Sequence, residues 1–227
     1  MTRSIARSLV LGAFLVAGVA ACEDPASDKP AATTAPAKSA AAVAPKPSAA
    51  ANTAAVPVAA GAKKYAFSGE GSKIEFTGSK VTGKHDGGFK TFTGTIEAAD
   101  GALEQGKVTV EIETASVYSD SEKLTGHLKA PDFFDADKFP KAKFTSTAVA
   151  KSTDGKGTHL VTGNLELHGV TKSISFPATI TVGAGAAAVT AEFTINRKDF
   201  GIVYPGMTDD LIRDEVVIKL NLAAKGG

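Results

Sequence analysis

From about Lys63 onward the chain alternates apolar and polar residues with period two, the pattern of strands that bury one face. Val108, Val110 and Ile112 alternate with Thr109, Glu111 and Glu113; Ile174, Phe176, Ala178, Ile180 and Val182 alternate with mainly Ser and Thr. Val189, Ala191, Phe193 and Ile195 repeat the pattern, and Val216, Ile218, Leu220 and Leu222 form the last such face. Weaker strands read at Lys73 to Ser79, Gly88 to Glu97, Ala142 to Val149 and Thr158 to His168, which makes about eight in all. Ala99-Asp100-Gly101, Thr153 to Gly157 and Gly183-Ala184-Gly185 supply turn residues that tolerate positive φ, so neighbouring strands are expected to be antiparallel. One stretch departs from the alternation. Ser119 or Asp120 can cap a short helix carrying Leu124 and Leu128 on one face, followed by an aromatic loop with Phe133, Phe134 and Phe139.

Strands with a single apolar face must bring those faces together, across a sandwich or inside a closed barrel. Eight strands closed on themselves leave an interior that side chains fill or that holds one small ligand. A membrane-spanning barrel turns its apolar face outward and carries aromatic girdles, which no Trp and three Tyr cannot supply. The apolar faces nominate Phe76, Phe92, Val110, Ile112, Phe144, Leu165, Leu167, Phe176, Ile180, Phe193 and Ile195 as interior lining, each of which is equally an ordinary core residue. Phe133, Phe134 and Phe139 form either a lid over the barrel mouth or a plug in its end. His127 and His168 either offer polar contacts near that mouth or are structural.

The N-terminus is of another kind. Arg3 and Arg7 precede an uncharged apolar run from Leu9 to Ala21, the order of a secretory signal, and the run is shorter than the roughly 20 residues a spanning helix needs. It ends in Val19-Ala20-Ala21-Cys22, which resembles the lipobox of bacterial lipoproteins. Residues 1–21 are therefore expected to be a cleaved signal peptide and Cys22, the only cysteine, the site of lipidation. From there to residue 62 the chain is almost entirely Ala, Pro, Ser, Thr and Lys, too poor in apolar bulk to offset its ordering entropy. Residues 22–62 are expected to be a disordered tether with an r.m.s. span of about 35 Å, and residues 63–227 one domain. The expected location is the cell envelope, on the periplasmic face of a membrane held through acylated Cys22.

Formal net charge is +1, which gives no basic face for nucleic acid. His85, His127, His159 and His168 lack the close spacings by which one element gathers two metal ligands, and no nucleophile elbow, phosphate loop or dinucleotide fingerprint is present. No enzyme, catalytic residue, metal or resident cofactor is expected. The sequence leaves oligomeric state open.

Five ordered stretches carry a resemblance: Gly78 to His85, His127 to Asp135, Phe139-Pro140 before Phe144, Gly163 to Lys172 and Ile195 to Gly201. Together they resemble the YceI-like, polyisoprenoid-binding family. The resemblance implies an extended eight-stranded antiparallel β-barrel, lipocalin-like, with one short helix, whose apolar interior holds an isoprenoid-type lipid or quinone. Many relatives carry an Arg-Asp pair before the His-Leu, where this chain has Leu124-Thr125 before Gly126 and His127. Two functions are consistent with this reading: carriage or sequestration of a long apolar amphiphile, or a ligand-free stress-related or adhesion module whose barrel its own side chains fill. Interior volume separates them.

Overall fold

The computed structural model describes residues 24–37, 61–99 and 102–227, so Cys22, the signal-like segment and residues 38–60 lie outside them. The strands are β1 Thr33–Pro36, β2 Lys63–Ser68, β3 Lys73–Lys80, β4 Gly83–Phe89, β5 Phe92–Ala99, β6 Ala102–Glu113 and β7 Val117–Ser119. After helix α1, Glu122–Lys129, follow β8 Lys141–Lys151, β9 His159–Leu167, β10 Val170–Val182, β11 Ala186–Asn196, β12 Gly206–Met207, β13 Asp210–Leu211 and β14 Glu215–Gly226.

Several short strands are pieces of longer ones. β2 and β3 both run antiparallel to β14 and form one kinked strand. β4 and β5 form its hairpin partner, in register from Lys80↔Gly83 to Lys63↔Ala98. β6 and β7, joined by a 3-10 turn at Thr114–Ser116, add the third. With β8, β9, β10, β11 and β14 these make eight strands, each antiparallel to its neighbours, and β14 closes on β2 and β3. The expected all-β barrel with one helix is thus the observed fold. Its outer face is polar: Glu111 and Glu113 meet Lys141 and Lys143 across β6 and β8. Its inner face gathers the apolar positions into one core.

Turn chemistry sets two of the connections. His168 and Gly169 join β9 to β10 in two residues with φ of 52° and 73°, the doubly positive turn whose twist suits a hairpin. A Cβ on Gly169 would fall 2.4 Å from the Phe139 ring, so that position excludes any side chain. The helix begins one step later than expected: Ser121, not Ser119 or Asp120, caps it, accepting from the Leu124 amide at 3.4 Å. The other two are already engaged, Ser119 Oγ donating to the Ser121 carbonyl at 2.7 Å and Asp120 accepting from the Asp86 amide at 3.2 Å.

The larger correction concerns the tether. Residues 24–37 are not a free linker; they lie along the barrel wall. β10 pairs with β11 over only four residues, Thr179–Val182 against Ala187–Thr190. Just beyond that ladder stands Pro177, which lacks the N–H a continuing ladder needs. Above it the two strands part, and β1 fills the seam. Thr33 to Pro36 pair antiparallel with Ser175 to Lys172 of β10. On the other side the Ala32 amide donates to the Thr194 carbonyl at 2.8 Å, and the Thr194 amide to the Pro30 carbonyl at 3.0 Å. Composition missed this because an open sheet edge demands backbone hydrogen bonds, which any residue except proline can donate, rather than apolar bulk. Lys29 also reaches Glu192 at 3.5 Å, and Asp24 meets Arg213 at 3.0 Å.

If β1 holds the seam, Ala32→Pro removes one of its bonds and is expected to cost about 1 kcal/mol, a fall of roughly 2–4 °C in thermal midpoint for a domain of this size. Hydrogen exchange should quicken at Thr194 and at Ser173 to Ser175, while β5 and β6 are unaffected; unchanged exchange at the seam would show that β1 does not hold it.

Candidate functional site

Two cross-strand pairs show how the interior accommodates so many rings. Phe76 stands opposite Gly87 and Phe67 opposite Gly94, and a Cβ on either glycine would fall within 2.5 Å of the facing ring. The ring occupies the room the glycine leaves. Phe76 then meets Phe89 at 6.0 Å in a tilted contact and Phe134 at 6.4 Å edge-on, while Phe89 and Phe134 stand edge-on 5.4 Å apart. Deeper in, Phe176 stacks on Phe193 at 4.1 Å and 11°, with Phe144 at 5.8 Å. Offset and edge contacts of this kind suit ring quadrupoles.

Between and around these rings runs a cavity of about 210 Å3 whose free space meets no polar surface. Of the residues nominated from sequence, Phe76, Val110, Ile112, Phe133, Phe134, Phe144, Leu165, Leu167, Phe176, Phe193 and Ile195 line it. Four do not. Phe92 and Ile180 are buried in the core away from the cavity, packed rather than lining. His127 stands outside, its Nε2 3.0 Å from Asp132 and its ring 5.1 Å from Tyr204. Phe139 packs at 4.9 Å on His168, whose Nδ1 donates to the Phe200 carbonyl at 3.2 Å, so that pair is structural. Phe133 and Phe134 are packed into the end of the interior, tied to the helix by the Phe134 amide donating to the Leu128 carbonyl at 3.0 Å.

Sequence reasoning missed several lining residues. Ile74 and Gly78 share the alternation of Phe76, and Val216, Ile218, Leu220 and Leu222 belong to a face already visible, so the signal was present. Arg197 had no such signal. It sits in the 3-10 turn Arg197–Phe200, 5 % exposed, and borders the cavity. Nε donates to the Arg213 carbonyl at 3.0 Å, Nη1 to Ile202 at 2.8 Å, and Nη2 to Ile212 at 3.2 Å and to Asp214 at 3.3 Å. Burial pulls its guanidinium below the ordinary arginine value while Asp214 pulls the other way, and an arginine remains charged throughout. Those bonds fasten the loop after β11 and the start of β14 to one end of the barrel. At the same end the Lys80 ammonium beside Asp210 holds its carboxyl below the usual carboxylate range and ties the β12–β13 hairpin to the β3–β4 turn.

An eight-stranded barrel around a dry interior is a widespread architecture, and comparison decides which version this is. A family model for the YceI-like domain matches residues 65–224. The chain belongs to that family. Relatives by sequence include a UPF0312 protein of Pseudomonas putida (strain W619), 40 % identical over 139 residues, covering 59 % of this chain and 71 % of that protein. The UPF0312 protein of Pseudomonas fluorescens (strain SBW25) is 40 % identical over 132 residues, covering 56 % and 68 %. Among solved structures, Burkholderia cenocepacia BcnA aligns with TM-score 0.62 at 24 % identity over 70 % of this chain and 99 % of its own. A polyisoprenoid-binding domain from Saccharophagus degradans aligns at 0.58, 15 % identity, over 73 % and 99 %. The Campylobacter jejuni YceI protein aligns at 0.52, 26 % identity, over 61 % and 83 %. The YceI-like barrel covers the domain from β2 to β14; β1 lies before it.

Because Arg197 satisfies three carbonyls and one carboxylate, Arg197→Met is expected to leave buried acceptors unpaired and to cost about 3–5 kcal/mol, read as a lowered urea midpoint. A loss under about 1 kcal/mol would mean water replaces the guanidinium and the loop is not held by it.

Proposed function

We propose that this YceI-like protein holds the long apolar tail of an isoprenoid-type lipid or quinone in its barrel, for carriage or sequestration at an envelope membrane to which acylated Cys22 anchors it. The observation that carries the reading is the character of the cavity: its free space meets only apolar surface, with Arg197 as the one charged residue at its border. A hydrocarbon chain has no hydrogen bonds to satisfy, so a dry slot suffices, and burial gains roughly 0.8 kcal/mol per methylene. The printed description of the Saccharophagus degradans neighbour, a polyisoprenoid-binding domain of the same fold, adds support.

One observation favours the rival reading of a barrel filled by its own side chains. At about 210 Å3 the cavity is smaller than the roughly 300–1,000 Å3 of most small-molecule sites, and phenylalanine rings take up the difference. A chain longer than the cavity must displace rings that line it, and Phe134 is one the aromatic loop carries.

Native mass spectrometry of the purified protein is expected to find a co-purified lipid. Ile112→Phe, which extends into existing free space, should leave the thermal midpoint of delipidated protein nearly unchanged while reducing bound lipid. If instead the substitution costs the 1–3 kcal/mol of an overpacked core and no lipid is found, the filled barrel is correct.

The anchor has its own test. Cys22→Ser is expected to abolish acyl labelling and release the protein from membranes; native protein that carries no label would remove Cys22 from the account.

A further inference from the structure

Five large hydrophobic residues stand exposed among the described residues, and four of them lie at one end of the barrel: Val81 (57 %), Val203 (62 %), Met207 (75 %) and Leu211 (50 %). Single exposed apolar residues are ordinary, but several together at one end mark a contact surface. These four belong to connected backbone. The Val81 amide donates to the Leu211 carbonyl at 3.2 Å, Gly206 pairs with Leu211 and Met207 with Asp210, and Val203 adjoins Tyr204, whose ring packs on Phe133 at 5.5 Å. Arg197, Ile202 and Ile212, on the same loops, border the apolar cavity. The tip and the cavity's end therefore coincide.

The docked N-terminal segment gives this tip its occupant. Asp24 meets Arg213, two residues from Leu211, and the Arg213 amide donates to the Ser79 carbonyl at 2.9 Å beside the β3–β4 turn. The described N-terminal segment thus begins at the tip, at Asp24, and Cys22 precedes Asp24 by two residues, no more than about 7 Å of extended chain. A free tether of about 40 residues would leave the barrel's orientation undefined; a segment fixed to the wall does not.

We infer that the face formed by Val81, Val203, Met207 and Leu211 rests on a lipid bilayer, so that the end of the barrel where the cavity lies faces the membrane surface. Apolar side chains of this kind bury in the boundary between head groups and acyl chains. The inference rests on the lipid-carrier reading for its purpose, yet lipid can co-purify with a barrel whose tip never meets a bilayer, so the two fail separately.

The chain has no Trp, which makes a single introduced one a clean reporter. Met207→Trp and Val203→Trp place it on the tip; Leu160→Trp, at an exposed position of β9 outside the tip loops, is the control. Each full-length variant is bound to vesicles of phosphatidylethanolamine and phosphatidylglycerol with and without brominated acyl chains. The tip reporters are expected to shift to the blue and lose most of their emission to the brominated lipid, while the control keeps its emission. Tip reporters as unquenched as the control, on protein that floats with the vesicles, would overturn the inference. So would a blue shift that appears without lipid and grows with protein concentration, since a second copy would then cover the face.

Discussion

A sheet with one apolar face has to close, and in this barrel closure falls to the ladder between β10 and β11, which runs for four residue pairs and stops two residues short of Pro177. The strand edges beyond it cannot be left unpaired beside a dry interior, because an unsatisfied backbone group away from water costs as much as a lost hydrogen bond. β1 supplies antiparallel partners to β10, and Ala31 just before it bridges in parallel to Thr194 of β11. The dryness of the cavity and the place where the N-terminal chain enters the fold both follow from how that seam is filled.

Inside, two demands compete. Rings give the greatest burial per residue, and a solid aromatic core would be more stable than one with a void, since residual cavity volume costs stability. Glycines opposite Phe67 and Phe76 show the barrel packing its rings closely where it needs rigidity. The space that remains is where the rings of the aromatic loop meet those of the strands. Phe134, like Phe133, enters from a segment held by backbone bonds to α1 and its C-cap rather than by a sheet ladder. Arg197 balances this at the other side of the cavity's end, where it gives three carbonyls a partner and lets irregular loops lie against an apolar interior.

Alternation made the barrel legible. Residues such as Val110, Ile112, Phe193 and Ile195 point inward because their neighbours are polar; a closed barrel satisfies such faces, as a sandwich would, and the family resemblance singled out the barrel. The same logic reached most of the cavity wall and erred at Phe92 and Ile180, because period two reports which face is buried and says nothing of depth along the barrel axis. It was silent on Lys63–Ser68, where Tyr65 and Phe67 alternate with too few partners to stand out. It was wrong on residues 24–37 for a different reason. What orders β1 is the vacancy between two strands more than a hundred residues away, a property of the closed barrel and not of the segment.

That vacancy also changes what an anchor at Cys22 does. With a free linker the cavity's end would face the membrane in only some of the barrel's orientations, and in the others a departing apolar tail would be exposed to water at roughly 0.8 kcal/mol per methylene. With the segment fixed to the wall and Asp24 held by Arg213, an anchor at Cys22 would act on the end of the barrel where the cavity lies. Under the proposed carrier function, a tail would then pass from one apolar phase to another. The segment that completes the wall is thus also the one that, under the proposed anchoring, would bring the interior's end to the membrane.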